Sequence, residues 1–395
     1  MTPTPPPSPV GQPNGPLARW LRHPGTTQRH WWHQLTGLYA RQEHHVALLL
    51  AAIAVVAVTA TMGRQIARRA GARHGRWVEI RPPAQPPADG GLALWRQLAP
   101  LLSARRSWSG PRPPVAFECL VRAGSAQLGL WVSRTISPTA VARAVQTAWP
   151  GATATPTVPP TLLPARRDRQ QRSSGGQVRL AAAEWFPVGA TPHGASGAGT
   201  PTADPLRGLL EALIDVPGSG TGVLQVLARP ATGGRLRRAR RAALAARRTT
   251  PHRVLQLPGL GATQAGRDRT SGPADPFALA DVREISRKLA DTPHFHVAVR
   301  VAVAGTRGRG GRAARRGWLR QISAALGLYT GRNHLILSPL HRPATTLDGR
   351  RLGRGFLLSV GELAILAHLP SEPARHGLAV AAARSIAPPA ELTDA

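Results

Sequence analysis

The chain of 395 residues contains one cysteine, one lysine and few aromatic or acidic residues. The single cysteine, Cys119, excludes an internal disulfide framework. It lies in the apolar run VAFECLV, where we expect a small buried hydrophobic side chain rather than a nucleophile. Only 4% of the residues are aromatic, while 41 Gly and 39 Pro predict extensive loops and linkers.

The single lysine excludes a Walker A phosphate-binding loop, because the motif GxxxxGK[ST] requires a lysine directly after a glycine. Lys288 lies in ISRKLAD, and the Gly-rich stretches GLGATQAG and GTRGRGG contain no lysine. No Ser-His-Asp arrangement, GxSxG motif or pair of carboxylates stands out either. We therefore predict a protein that is not an enzyme and that has no catalytic residues and no cofactor.

The histidine pair His294 and His296 is the remaining candidate for metal binding. The HxH spacing places both side chains on one face of a predicted strand. A zinc site needs about four ligands, and the sequence offers no second cluster of paired ligands to complete one. We predict that the pair holds no metal.

Positive charge is the most unusual property of the composition. Lys and Arg total 51 against 19 Asp and Glu, which gives a formal net charge of +32. Such an excess favours an anionic partner, either nucleic acid or an anionic lipid surface. Two Arg-rich predicted helices provide candidate phosphate contacts, with a merely solvated basic face as the alternative. The candidates are Arg235, Arg237, Arg238, Arg240, Arg241, Arg247, Arg248, Arg315 and Arg316.

An uncharged apolar run at residues 46–63 predicts a transmembrane helix near the lower length limit. It follows a Pro-rich segment, 1–45, that we expect to be disordered. Six arginines lie within twenty residues after the run and two within twenty residues before it. The positive-inside rule then predicts a single-pass protein of the cell membrane with a cytoplasmic C-terminal body.

The remaining sequence predicts an α+β fold made of repeated ferredoxin-like (split βαβ) modules after the transmembrane helix. The first module covers 77–190, and the second and third units cover 204–340. Within the first module, Ser137 and Pro138 have the residue types that begin a helix. Gly124 lies in the predicted turn of a hairpin.

The last predicted segment, 356–389, contains a helix that ends at Pro370 and an exit through RSIAPP. Its leucines recur at helical spacing and form an apolar stripe. We predict that it docks a partner ATPase, with packing on the third module as the alternative. The predicted docking residues are Glu362, Leu363, Leu366, Leu369 and Arg384.

Three stretches carry a resemblance to a known family: WVEIRPP, FECLVRAGSAQLGLWVS and GELAILAHLPSEP followed by GLAVAAARSIAPP. Together they resemble the region before the ATPase domain in actinobacterial conjugation and type IV secretion ATPases of the coupling-protein/HerA type. In that family the ATPase domain would follow Pro389, and we expect this chain to lack it.

The resemblance implies a non-catalytic, membrane-anchored component of a conjugative DNA-transfer or type IV secretion-like apparatus. Its expected partners are a separately encoded P-loop ATPase, the cytoplasmic membrane, DNA and further copies of the chain. The alternatives are a membrane-tethered nucleic-acid-binding protein that uses its Arg-rich helices, and a truncated fragment without function.

Overall fold

The computed structural model describes residues 47–63, 75–103, 114–164, 171–189, 204–216, 220–248, 276–329 and 331–382. The chain divides into two compact units, Met1–Ile66 and Ala67–Ala395. The predicted segment 1–45 and the predicted docking residue Arg384 lie outside the described residues.

The described part of the first unit is helix α1, residues 47–63, whose side chains are largely exposed. Its 17 residues extend over about 25 Å, less than the roughly 30 Å of a bilayer hydrocarbon core. Within the described ranges, no helix combines the length and the apolar character needed to cross a membrane. This finding corrects the prediction of a transmembrane helix at 46–63.

The second unit is built around one nine-stranded antiparallel sheet. Its strands are β1 (Arg76–Arg81), β2 (Val115–Arg122), β3 (Ser125–Val132), β4 (Thr153–Thr157), β5 (Gln171–Leu180), β6 (Thr221–Pro230), β7 (His294–Thr306), β8 (Leu335–Pro339) and β9 (Phe356–Ser359). The helices are α2 (Gly90–Ser103), α3 (Pro138–Ala148), α4 (Pro205–Ile214), α5 (Gly233–Arg248), α6 (Pro276–Ala290), α7 (Arg309–Leu326), α8 (Pro343–Asp348) and α9 (Val360–Leu366), followed by a 3-10 helix at Pro373–His376.

The continuity of the sheet corrects the prediction of repeated ferredoxin-like modules. The sheet runs β4-β1-β3-β2-β6-β7-β5-β8, and β9 also pairs with β7. Strand β5 belongs to the predicted first module in sequence, yet it pairs with β7 and β8 of the predicted third unit. The fold is therefore α+β with one continuous sheet. The modular prediction is wrong because strand pairing joins segments that are distant in sequence.

Local sequence signals are confirmed where they depend on neighbouring residues only. The Ser137 hydroxyl accepts a hydrogen bond from the backbone N–H of Ala140, and Pro138 is the first residue of α3. Strands β2 and β3 form a hairpin whose turn contains Ala123 and Gly124, both with positive φ. Cys119 is buried in β2, and burial raises the pKa of its thiol to about 12.

The main hydrophobic core lies between one face of the sheet and helices α2, α3, α4, α7 and α9. Alternate residues of β7, from Phe295 to Val303, are buried in it. Trp95 of α2 packs edge-on against Phe295, with ring centroids 5.7 Å apart. Its indole N–H donates to the Ala367 carbonyl at 2.8 Å. This pair ties helices α2 and α9 to β7.

The second face of the sheet is covered by residues 340–354, which include α8. Leu347 and Leu352 pack there against small apolar clusters. The same face carries Glu118 of β2, which forms a bidentate ion pair with Arg350 at 2.8 and 3.0 Å. Buried charges therefore hold the covering segment to the sheet.

Candidate nucleic-acid interface

Helix α7 has one buried face and one face of exposed arginines. Its buried residues are Arg315, Trp318, Ile322 and Leu326. The arginines on the exposed face recur at intervals of three and four residues, which places them along one side of the helix. They are Arg309, Arg312, Arg316 and Arg320. They extend over about 16 Å of helix axis.

Arg315 lies on the buried face of α7 and is fixed by the sheet. Its Nε donates to the Ser174 hydroxyl of β5 at 3.2 Å, and its Nη1 donates to the Thr306 carbonyl at 2.5 Å. Only 6% of the residue is exposed. Burial, and then the nearby charges of Arg312 and Arg172, lower the pKa of Arg315. Arg312 lies one turn before Arg315 on α7, and Arg172 is two residues from Ser174 on β5, so the three arginines belong to one region of the surface.

Arg172 is the arginine that the sequence did not reveal as part of this surface. It lies on β5, opposite Gly305 of β7, and its side chain is exposed. Side chains alternate along a strand, so Arg172 and Ser174 share one face of the sheet. Because Ser174 bonds to Arg315, that face is the one on which α7 packs. The alternation of side chains along QRSSGGQ places Arg172 and Ser174 on one face of a strand. It does not show that α7 covers that face unless β5 is already known to lie beside β7.

Helix α5 presents a second basic surface. Exposed arginines on it are Arg237, Arg238, Arg240 and Arg241. Arg235 differs, because it is partly buried and its Nη2 pairs with the Glu184 carboxylate at 2.6 Å. Arg247 and Arg248 belong to α5, but their side chains lie outside the described residues.

The two basic surfaces begin at opposite ends of β7. Helix α5 begins shortly after Pro230, which is opposite Phe295 near the start of β7. Helix α7 begins shortly after Thr306, the last residue of that strand. The starts of the two arginine clusters are therefore separated along the strand, and they can be altered independently.

Four of the predicted docking residues, those at positions 362–369, lie in the interior of the unit. Leu363, Leu366 and Leu369 belong to the main core and are at most 3% exposed. Glu362 is also buried and pairs with Lys288 of α6 at 3.0 Å. Because these side chains already contact the chain itself, no partner reaches them while this packing is kept. Helix α9 packs on α2 of the predicted first module as well as on β7 and β9, so its packing is not confined to the third module named in the alternative.

The histidine pair lies on the second face of the sheet among positive charges. Among the described residues, no group of three or more His, Cys, Asp or Glu is arranged to hold a metal ion. His296 Nδ1 lies 3.2 Å from Nη2 of Arg229. Burial, and then the charges of Arg235 and Arg229, lower the pKa of His296 to about 4. His294 Nε2 lies 3.0 Å from the Lys288 carbonyl.

No protein-family model matches the chain, and no curated protein matches it. Function is therefore inferred from the sequence and the structure of this chain.

The depressed pKa of His296 predicts a stability that depends on pH. Between the ordinary pKa of 6.5 and the folded pKa of about 4, the unfolded chain binds a proton that the folded chain does not. Stability should therefore fall by about 2–3 kcal/mol as the pH falls through this window. Urea unfolding across that pH range measures it. In His296→Gln the free energy of unfolding should decline less over this pH range than in the wild type. In the exposed control His341→Gln the decline should equal that of the wild type. An identical decline in both variants would contradict the assignment.

Proposed function

We propose that this chain is a non-catalytic component of a DNA-transfer apparatus, which binds DNA and works with a separately encoded P-loop ATPase. The arginine face of α7 carries the proposal: four arginines along one side of the helix are exposed. None of them takes part in an ion pair among the described residues. An array of this kind suits the phosphate backbone, since one planar guanidinium group can donate two hydrogen bonds to two oxygens of the same phosphate.

The sequence resemblance supports the choice of apparatus. The stretches WVEIRPP and GELAILAHLP resemble the region that precedes the ATPase domain in conjugation and secretion ATPases. The lack of a Walker A motif assigns the motor activity to another chain. We place the ATPase contact away from Glu362 and the neighbouring leucines, because they are buried.

The absence of a Walker A motif also predicts the behaviour towards nucleotide. The purified chain should hydrolyse no ATP, and ATP should not raise its melting temperature, since no lysine is available to a phosphate-binding loop. Phosphate release and thermal unfolding with and without ATP measure both. Saturable ATP-dependent stabilisation would contradict the proposal of a non-catalytic component.

DNA binding is the direct test of the proposed function. The full chain should bind a labelled duplex of about 30 base pairs at about 50 mM salt, and the affinity should fall about 100-fold by about 200 mM salt. The fall reflects the release of counterions from about four phosphates, the number of exposed arginines on α7. Fluorescence anisotropy at several salt concentrations measures it. No saturable binding at the lowest salt concentration would refute the proposal.

A further inference from the structure

We propose that Arg172 of β5 and Arg312 of α7, on the two elements that the buried Arg315 joins, form a phosphate clamp that binds the backbone of duplex DNA. This inference rests on the proposed function and names the site within it. It assigns a role to Arg172, which no sequence motif indicated.

The clamp is formed by two elements that the fold holds rigidly together. Seven residue pairs join β5 to β7 in antiparallel register, and Arg172 lies opposite Gly305 near the end of that pairing. Helix α7 is fixed to the same place by Arg315, which bonds to Ser174 of β5 and to the Thr306 carbonyl of β7. The backbone positions of Arg172 and Arg312 are therefore set before any ligand binds, which reduces the entropy lost on binding.

The clustered charges are not neutralised within the described part of the chain. Arg312 and Arg172 are close enough to Arg315 to disfavour its charged form. No ion pair among the described residues includes any of these three arginines. Like charges held together without an anion repel each other, and a bound phosphate relieves that repulsion.

The neighbouring side chains favour duplex phosphates over two other anionic partners. Between the arginines of the first turns of α7, Gly310 and Ala313 are exposed and neither is a large apolar residue. A helix that lies in a lipid surface needs large apolar side chains beside its basic ones. Trp318, the aromatic residue of α7, is buried at 1% exposure and offers no surface on which single-stranded bases could stack.

The test compares two variants of the full chain that remove equal charge. Arg172→Gln with Arg312→Gln alters the clamp, and Arg237→Gln with Arg241→Gln alters the exposed face of α5. All four side chains are exposed, so both variants should fold, and the melting temperature checks this. The probes are a duplex DNA of mixed sequence, single-stranded DNA of equal length and vesicles of anionic phospholipid.

The clamp variant should bind duplex DNA roughly 100-fold more weakly at about 50 mM salt, with a log–log salt slope shallower by about 2. The affinity of the α5 variant for duplex DNA should fall by less than about 10-fold. Equal losses in the two variants would overturn the clamp while leaving the proposed function intact. A wild-type chain that binds no DNA would refute the proposed function itself. Two results would overturn the assignment to duplex phosphate. One is that the wild-type chain binds single-stranded DNA more tightly than duplex DNA. The other is that the clamp variant loses affinity for the vesicles but not for duplex DNA.

Discussion

Replacing Glu118 by glutamine should lower the free energy of unfolding by about 3–5 kcal/mol. Glu118 is fully buried, and its carboxylate accepts hydrogen bonds from Arg350 at 2.8 and 3.0 Å and from Gln225 at 2.9 Å. The amide would remove the negative charge but leave the buried guanidinium of Arg350 in place. A buried charge that has lost its partner is far more costly than the pair was favourable.

The surroundings increase this cost, because a second buried arginine lies beside the pair. Arg300 donates from Nη1 to the Gln225 side chain at 3.2 Å and from Nη2 to the Arg351 and Leu352 carbonyls. Burial lowers the pKa of Arg300 to about 10. The hydrogen bonds of this guanidinium go to neutral oxygens, and the Gln225 side chain joins it to the Glu118 carboxylate.

Urea unfolding at neutral pH measures the effect of Glu118→Gln, and a matched substitution on the same sheet controls for it. Glu79→Gln removes a carboxylate from a partly exposed pair with Arg81, whose charged atoms are 3.6 Å apart. Surface pairs contribute about 0–1 kcal/mol, so the control should differ little from the wild type. A loss in Glu118→Gln no larger than that of the control would show that the buried pair does not stabilise residues 340–354.

Both the successes and the errors of the sequence reading have physical causes. The helix start at Ser137 and the β2–β3 turn were predictable, because capping and turn chemistry depend on a few adjacent residues. The placement of β5 was not predictable, since its pairing with β7 joins residues more than a hundred positions apart. Hydrophobic alternation indicates a strand but not its neighbour in the sheet.

The candidate site shows the same division between local and distant information. Arg315 and Arg316 are equivalent in the sequence RAARRG, but Arg315 shares a helical stripe with Trp318 and Ile322. This helical spacing from two apolar residues would have identified Arg315 as the buried arginine. Glu362 was predicted to be a docking residue, although SVGE at 359–362 matches a capping box. The structure contains that capping box, with Glu362 buried. The position of Arg172 beside α7 could not be predicted without the order of the strands in the sheet.

The second large effect concerns Lys288, the only lysine in the chain. Its side chain is 1% exposed, and its ammonium group lies 3.0 Å from the Glu362 carboxylate and donates to the Phe186 carbonyl at 3.2 Å. Lys288→Met should lower the free energy of unfolding by about 3–5 kcal/mol, because Glu362 would remain buried without its cation. Arg287→Met, one residue earlier and exposed, should change it by less than about 0.5 kcal/mol.

The pH dependence of Lys288→Met distinguishes a lost ion pair from a simple packing defect. Burial raises the pKa of Glu362, and Lys288 is the largest opposing influence. Without Lys288 the folded pKa should rise further, so the folded chain retains a proton that the unfolded chain releases above its own pKa. Stability should then decline as the pH rises from about 5 to about 8, the window above the ordinary glutamate pKa.

The double variant Lys288→Met with Glu362→Gln should lose that pH dependence and recover part of the stability, which completes a thermodynamic cycle for the pair. The single lysine gives an independent readout. In the folded chain acetic anhydride should leave Lys288 unmodified, and in urea it should acetylate it, which peptide mass spectrometry detects. Rapid acetylation of the folded wild-type chain would place Lys288 at the surface and exclude the buried pair with Glu362.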